Sequence, residues 1–171
     1  MVKIRARAGY LLIEASAAYV ILVLGIVSIV PIFHYAMIAN ERSQEALKSA
    51  ELAQELMEEI KLRRWDETGG RIGFPTGSPS LTLGPDSGET STNKATFDDV
   101  DDFNGWTENG VKDPLNNAIP SLSDYTRSVT VQYVTSSFSV TASTTNYKLV
   151  TVCVSKASVN RSCLYWVATN Y

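Results

Sequence analysis

From Ala15 to Asn40 the chain carries no Asp, Glu, Lys or Arg, a run of 26 residues in a sequence of 171. A helix needs about 20 predominantly apolar residues to cross a bilayer. One segment is therefore built for lipid or for an equally apolar interior. Lys3, Arg5 and Arg7 precede the run, with no acid among the first eight residues. The positive-inside rule then keeps residues 1–9 in the cytoplasm and sends the 131 residues from Glu41 to Tyr171 across the membrane. Those residues are enough for a modest core. Both cysteines, Cys153 and Cys163, fall on the outer side, where disulfides persist.

Composition removes several classes. Hydrophobic residues make up 44% and charged residues 19%, whereas a disordered chain needs low hydrophobicity and high net charge. Glycine numbers only 10 and has no triplet period, which excludes collagen. A formal charge of −3 counts against a general nucleic-acid binder, which is normally basic. No specific nucleic-acid partner is expected.

A secretory signal peptide also opens on basic residues and an apolar stretch, but that stretch runs only about 7–15 residues. This one is longer, and Glu14 sits near its start, behind Tyr10, Leu11, Leu12 and Ile13. A carboxylate at the centre of a membrane helix costs roughly 2.5–3.5 kcal/mol, and less towards the interface. Such a residue is a functional candidate by default.

Gly9-Tyr10-Leu11-Leu12-Ile13-Glu14, behind its short basic leader, resembles the class III signal of type IV pilins and type II secretion pseudopilins. The resemblance covers roughly the first 66 residues. It implies that a prepilin peptidase cuts between Gly9 and Tyr10 and methylates the new amino group of Tyr10. Glu14 then becomes the fifth residue of the mature chain. Pro31 becomes the twenty-second, where many family members carry a helix-kinking proline. Tyr10 stands where Phe is usual, and Leu11 where Ser or Thr is common.

The chemistry of that motif follows from the residues. Cleavage would create an amine on Tyr10, cationic at neutral pH. Glu14 lies four residues on, so both groups share one helix face. An unpaired Glu14 inside a bundle of such helices would be a buried charge, and an amine offsets much of that cost. The resemblance implies that the amine comes from a neighbouring subunit and sets the register of filament assembly; a pair within one chain is the alternative. His34, the single histidine, lies within the apolar run without a metal-ligand partner near it in sequence. It reads as an interfacial or packing residue.

The helical pattern continues beyond Asn40. Ala46, Ala50, Ala53, Met57 and Ile60 recur at spacings of three and four, flanked by Leu47 and Leu56, which predicts an amphipathic helix from Glu41 to Asp66. Gly69-Gly70 reads as its stop. Residues 67–125 hold eight of the ten glycines and five of the six prolines and read as long loops.

Within them, Asp98, Asp99, Asp101 and Asp102 place four carboxylates in five residues. Calcium takes several oxygen ligands, so this is a candidate calcium site, although the spacing does not fit an EF-hand. The alternative is a solvated acidic turn anchored by Phe97, Phe103 and Trp106. The stretch Asp98–Trp106 also resembles a structural signature of minor pilins. No other cofactor is expected.

Residues 126–171 are β-rich. Val129, Val131 and Tyr133 alternate with Ser128, Thr130 and Gln132. Ser137–Ala142 is a weaker strand candidate, and Lys148–Ser155 and Ser162–Thr169 are clear ones. A hairpin centred on Ser158 sets Cys153 opposite Cys163, Val152 opposite Leu164 and Val150 opposite Trp166, which makes a cross-strand disulfide feasible. Two free thiols are the alternative.

No nucleophile–base pair, phosphate loop or C-x-x-C motif occurs, and an enzyme is not expected. The expected fold is α+β and pilin-like: a long kinked N-terminal helix, transmembrane in its first half, packed on a small antiparallel sheet. The expected organisation is a leader (1–9), a membrane or filament-core half-helix (10–40), an amphipathic half-helix (41–66), a loop region (67–125) and a sheet (126–171). The resemblance implies a minor pilin of a bacterial type IV pilus. Its partners would be membrane lipid, other pilin subunits, prepilin peptidase, and an inner-membrane assembly platform with its ATPase. The protein would span the inner membrane once, head outside the cytoplasm, and then enter an extracellular or periplasmic filament. A type II secretion pseudopilin is one alternative. A single-pass anchored binding domain that never polymerises is the other.

Overall fold

The computed structural model describes residues 3–66, 82–157 and 159–170, leaving aside the side chains of residues 3–9, Asn160 and Arg161. Helix α1 runs from Lys3 to Lys61. The chain divides into two compact units between Gln44 and Glu45.

The first unit is helix alone. Its apolar side chains point to the outside all round: Leu12 is 73% exposed, Ile21 71% and Phe33 63%. The segment is long and apolar enough to cross a membrane. Its serines are satisfied internally. Ser16 donates to the Ile13 carbonyl at 2.9 Å, Ser43 to Ala39 at 2.8 Å, and Ser28 to Leu24. Back-bonding of this kind hides a hydroxyl from a medium that offers no partner. The helix continues through Pro31, whose missing N–H leaves the Val27 carbonyl without its usual donor.

In the second unit α1 becomes amphipathic. Leu52, Ala53, Leu56, Met57 and Ile60 are buried, one face of a 3.6-residue repeat. The stripe starts at the buried Ser49; Ala46 and Leu47 are exposed. The helix also ends five residues before the expected Asp66. Leu62 and Arg63 tighten the last turn with bonds to Glu59 and Ile60, and Arg64 then leaves the helix to bond backbone-to-backbone with Asp98 and Val100. That pairing, and the burial of Trp65 at 1% exposure, outweigh local helix propensity. The Gly69-Gly70 stop lies outside the described residues.

The sheet is an antiparallel meander ordered β1–β2–β3–β4: Thr107–Asn109, Tyr125–Tyr133, Tyr147–Lys156 and Val159–Thr169. The first strand comes from the segment read as loop. The second shows the expected alternation, with Val129, Val131 and Tyr133 inward. Ser137–Ala142 forms no ladder; a tight turn runs through Thr135–Ser139, leaving one bridge between Val134 and Val140.

The β3–β4 register matches the hairpin centred on Ser158, pairing Cys153 with Cys163, Val152 with Leu164 and Val150 with Trp166. A bulge between Val154 and Ser155 shifts only the last two pairs. The core joins Leu52–Ile60 of α1 to Val129, Val131, Val150, Val152 and Val154, and Phe97, Val100, Phe103 and Trp106 extend it. This is the expected α+β arrangement of one long N-terminal helix on an antiparallel sheet.

Candidate functional site

The residues singled out from sequence for assembly and for metal binding fall into two places, one in each unit. In the first, the helix passes without interruption across the Gly9–Tyr10 bond. Tyr10 is 72% exposed, and Glu14, one turn later, is also exposed. Among the described residues no ion pair reaches Glu14. His34 stands beside the Tyr35 ring at 6.4 Å.

The second place is the acidic turn. Three edge-to-face aromatics anchor it: Phe97 meets Phe103 at 5.0 Å and Trp106 at 5.3 Å, a favourable geometry for ring quadrupoles. Asn104 clamps the turn to β2 by accepting from the Val131 N–H at 3.0 Å, and Gly105 supplies the left-handed φ of 78° that lets the chain turn back. The carboxylates satisfy backbone amides. Asp99 Oδ1 accepts from Asp101 and Asp102, and Asp102 Oδ2 accepts from Asp98 and Asp99, at 2.8–3.2 Å. Asp99, Asp101 and Asp102 are thereby buried at 0–1% exposure.

The four aspartates then divide. Asp101 faces Lys148, whose ammonium donates to Asp101 Oδ1, to Asp66 Oδ2 at 3.0 Å and to the Trp65 carbonyl at 2.7 Å. Burial pushes the Asp101 carboxyl above its ordinary range, against the pull of Lys148. Asp99 rises to about 9, because it is desolvated and lies beside the charges of Asp101 and Asp102.

Asp102 turns the other way. Burial and the neighbouring Glu89 carboxyl raise it to about 7. Glu89, Asp98 and Asp102 bring one ligand oxygen each to within 4.8 Å of one another. The structure thus brings Asp98 and Asp102 together with Glu89, while Asp101 faces Lys148 and Asp99 caps the turn.

Sequence reasoning missed a second buried network. Arg127 pairs with Glu108 and donates to the Lys112 carbonyl at 2.7 Å; Lys94 pairs with Glu59 at 2.9 Å. Strand parity held the signal for Arg127 and Lys148. Both sit at inward positions of their strands, two residues before Val129 and Val150. Cys153 and Cys163 form the expected disulfide, with Cα atoms 4.1 Å apart.

Comparison with protein-family models, with curated proteins and with solved structures gives no match.

Proposed function

We propose that this chain is a structural subunit of a type IV pilus-like filament, a minor pilin, stored in the bacterial inner membrane and assembled through its N-terminal helix. The observation that carries this reading is a lipid-length helix, apolar all round, that carries one carboxylate, Glu14, immediately before its uncharged stretch and five residues after Gly9. A simple anchor gains nothing from that carboxylate. A subunit packed against copies of itself gains a register device, because a Glu14 buried among such helices is offset where a neighbouring chain brings an amine.

In this mechanism the peptidase opens the Gly9–Tyr10 bond. Glycine costs a helix about 1 kcal/mol relative to alanine, so the backbone is easiest to unwind there. The freed Tyr10 amine, methylated and still cationic, pairs with Glu14 of the adjoining subunit. The apolar side chains leave lipid for neighbouring helices, and the head stays outside. The inner-membrane platform and its ATPase supply the work of extraction.

Intact mass of the protein from its native membrane or from sheared surface material tests this. The expected mass begins at Tyr10, with one added methyl group and two hydrogens lost to the disulfide. A mass beginning at Met1, in a cell that contains the peptidase, overturns the reading. A processed chain whose loss stops protein export while surface filaments persist is a secretion pseudopilin instead.

A further inference from the structure

We propose that Glu89, Asp98 and Asp102 form a calcium site. Two of the carboxylates come from the Asp98–Asp102 turn and the third from the Asp86–Glu89 turn, and one oxygen of each converges on one place. Each has one oxygen already committed to the protein. Glu89 Oε2 accepts the Asp86 amide at 3.1 Å, Asp98 Oδ2 faces the Arg64 guanidinium at 3.4 Å, and Asp102 Oδ2 accepts the Asp98 and Asp99 amides.

The second oxygens of Asp98 and Asp102 are sealed from solvent and have no hydrogen-bond donor. Asp102 itself is 1% exposed. A buried carboxylate oxygen without a backbone donor is costly, and the Asp102 carboxyl here meets a second carboxyl, Glu89, at hydrogen-bonding range. A hard cation resolves this arrangement. Calcium–oxygen bonds of about 2.3–2.6 Å allow ligand oxygens up to about 5 Å apart, and the observed spread lies within 4.8 Å. Backbone carbonyls and water would complete the six to eight oxygens calcium takes. Magnesium demands a tighter, near-ideal octahedron, to which ligand oxygens spread over as much as 4.8 Å are poorly suited.

The ion would tie the Glu89 turn to the Asp98–Asp102 turn, which is already bonded to Arg64 just beyond α1. Extracellular modules bind calcium at about 10⁻⁴–10⁻³ M. The tie would thus form only where calcium is abundant, outside the cytoplasm. The site lies wholly within one unit and needs no neighbouring chain, so it stands or falls independently of filament assembly.

The full chain in detergent, stripped with chelator, is titrated with calcium chloride by calorimetry and followed by thermal unfolding. One ion per chain is expected, with Tm rising by roughly 5–10 °C at saturation. Glu89→Gln removes one ligand from a half-buried position and should weaken binding at least tenfold, leaving the calcium-free Tm unchanged or higher. Asp98→Asn, also on a partly exposed residue, provides the same test should Glu89→Gln fold poorly. No heat and no shift up to about 10 mM calcium, ten times the upper limit of that range, overturns the site. So does a wild-type response in both variants. Equal affinity for magnesium overturns the assignment to calcium.

Discussion

The ammonium of Lys148 lies 4.0 Å from the centre of the Trp65 ring and donates to the Trp65 carbonyl at 2.7 Å. One side chain from β3 thus holds both the backbone and the ring of the residue at which the chain has left α1. Asp66 and Asp101 supply the neutralising charge. This lysine joins helix exit, acidic turn and sheet, with none of its side chain exposed.

Replacing it should therefore act on the whole head. Lys148→Met keeps most of the volume but leaves Asp66 and Asp101 without their cation. Breaking a buried pair from one side costs about 3–5 kcal/mol. Denaturant unfolding in detergent would show this as a lowered midpoint. A loss below about 1 kcal/mol would mean that the pair contributes no more than a surface salt bridge.

Protonation of Asp99 gives a pH dependence. Its folded-state value of about 9 lies above the ordinary 3.8, so the folded chain holds a proton that the unfolded chain releases. Stability from this group is fully present below its ordinary value and is lost as pH rises through about 9. In chelator, Tm should fall between pH 6 and 9, a window in which ordinary carboxylates are already ionised. Asp99→Asn keeps the acceptor for the Asp101 and Asp102 amides and should flatten the slope above about pH 7, beyond the value to which Asp102 is raised. An unchanged slope in that variant would remove Asp99 as its source.

The disulfide should matter for stability more than for register. Cys153 and Cys163 close a loop of about 11 residues, worth roughly 3 kcal/mol in the chain-entropy model. Val150–Trp166 and Val152–Leu164 pair on the opposite face of the same ladder. The double variant Cys153→Ser, Cys163→Ser should unfold at a lower temperature yet give a native circular-dichroism spectrum when cold. Loss of the sheet signal in the cold variant would show that the bridge sets the register.

Glu14→Leu should insert normally, because it removes a charge from an apolar helix. Under the filament proposal the variant should be cleaved yet fail to enter filaments alongside wild-type subunits, as read by immunoblot of sheared surface material. Wild-type incorporation would end the assembly role of Glu14.

Much of this molecule can be read along the chain. The charge-free run fixes a lipid-length helix, because backbone polar groups in hydrocarbon must be satisfied internally. Alternation in β2 and β3 fixes which faces are buried, and a period of two makes the hairpin register cost-sensitive to a single slip. That is why the cysteine pairing could be anticipated from Ser158.

Other features depend on contacts between distant segments. The helix stops at Lys61 because Arg64 bonds to Asp98 and Val100. Three of the four aspartates that look alike in sequence meet different surroundings: Asp101 finds Lys148, Asp99 its own turn's amides, and Asp102 the Glu89 carboxyl. Glu89 carries no local signal that it approaches them. Hydrophobic periodicity is a local property of the chain, set by the geometry of helix and strand. The partner of a buried charge is decided only when the chain folds back, and Lys148 meets Asp66 across 82 residues.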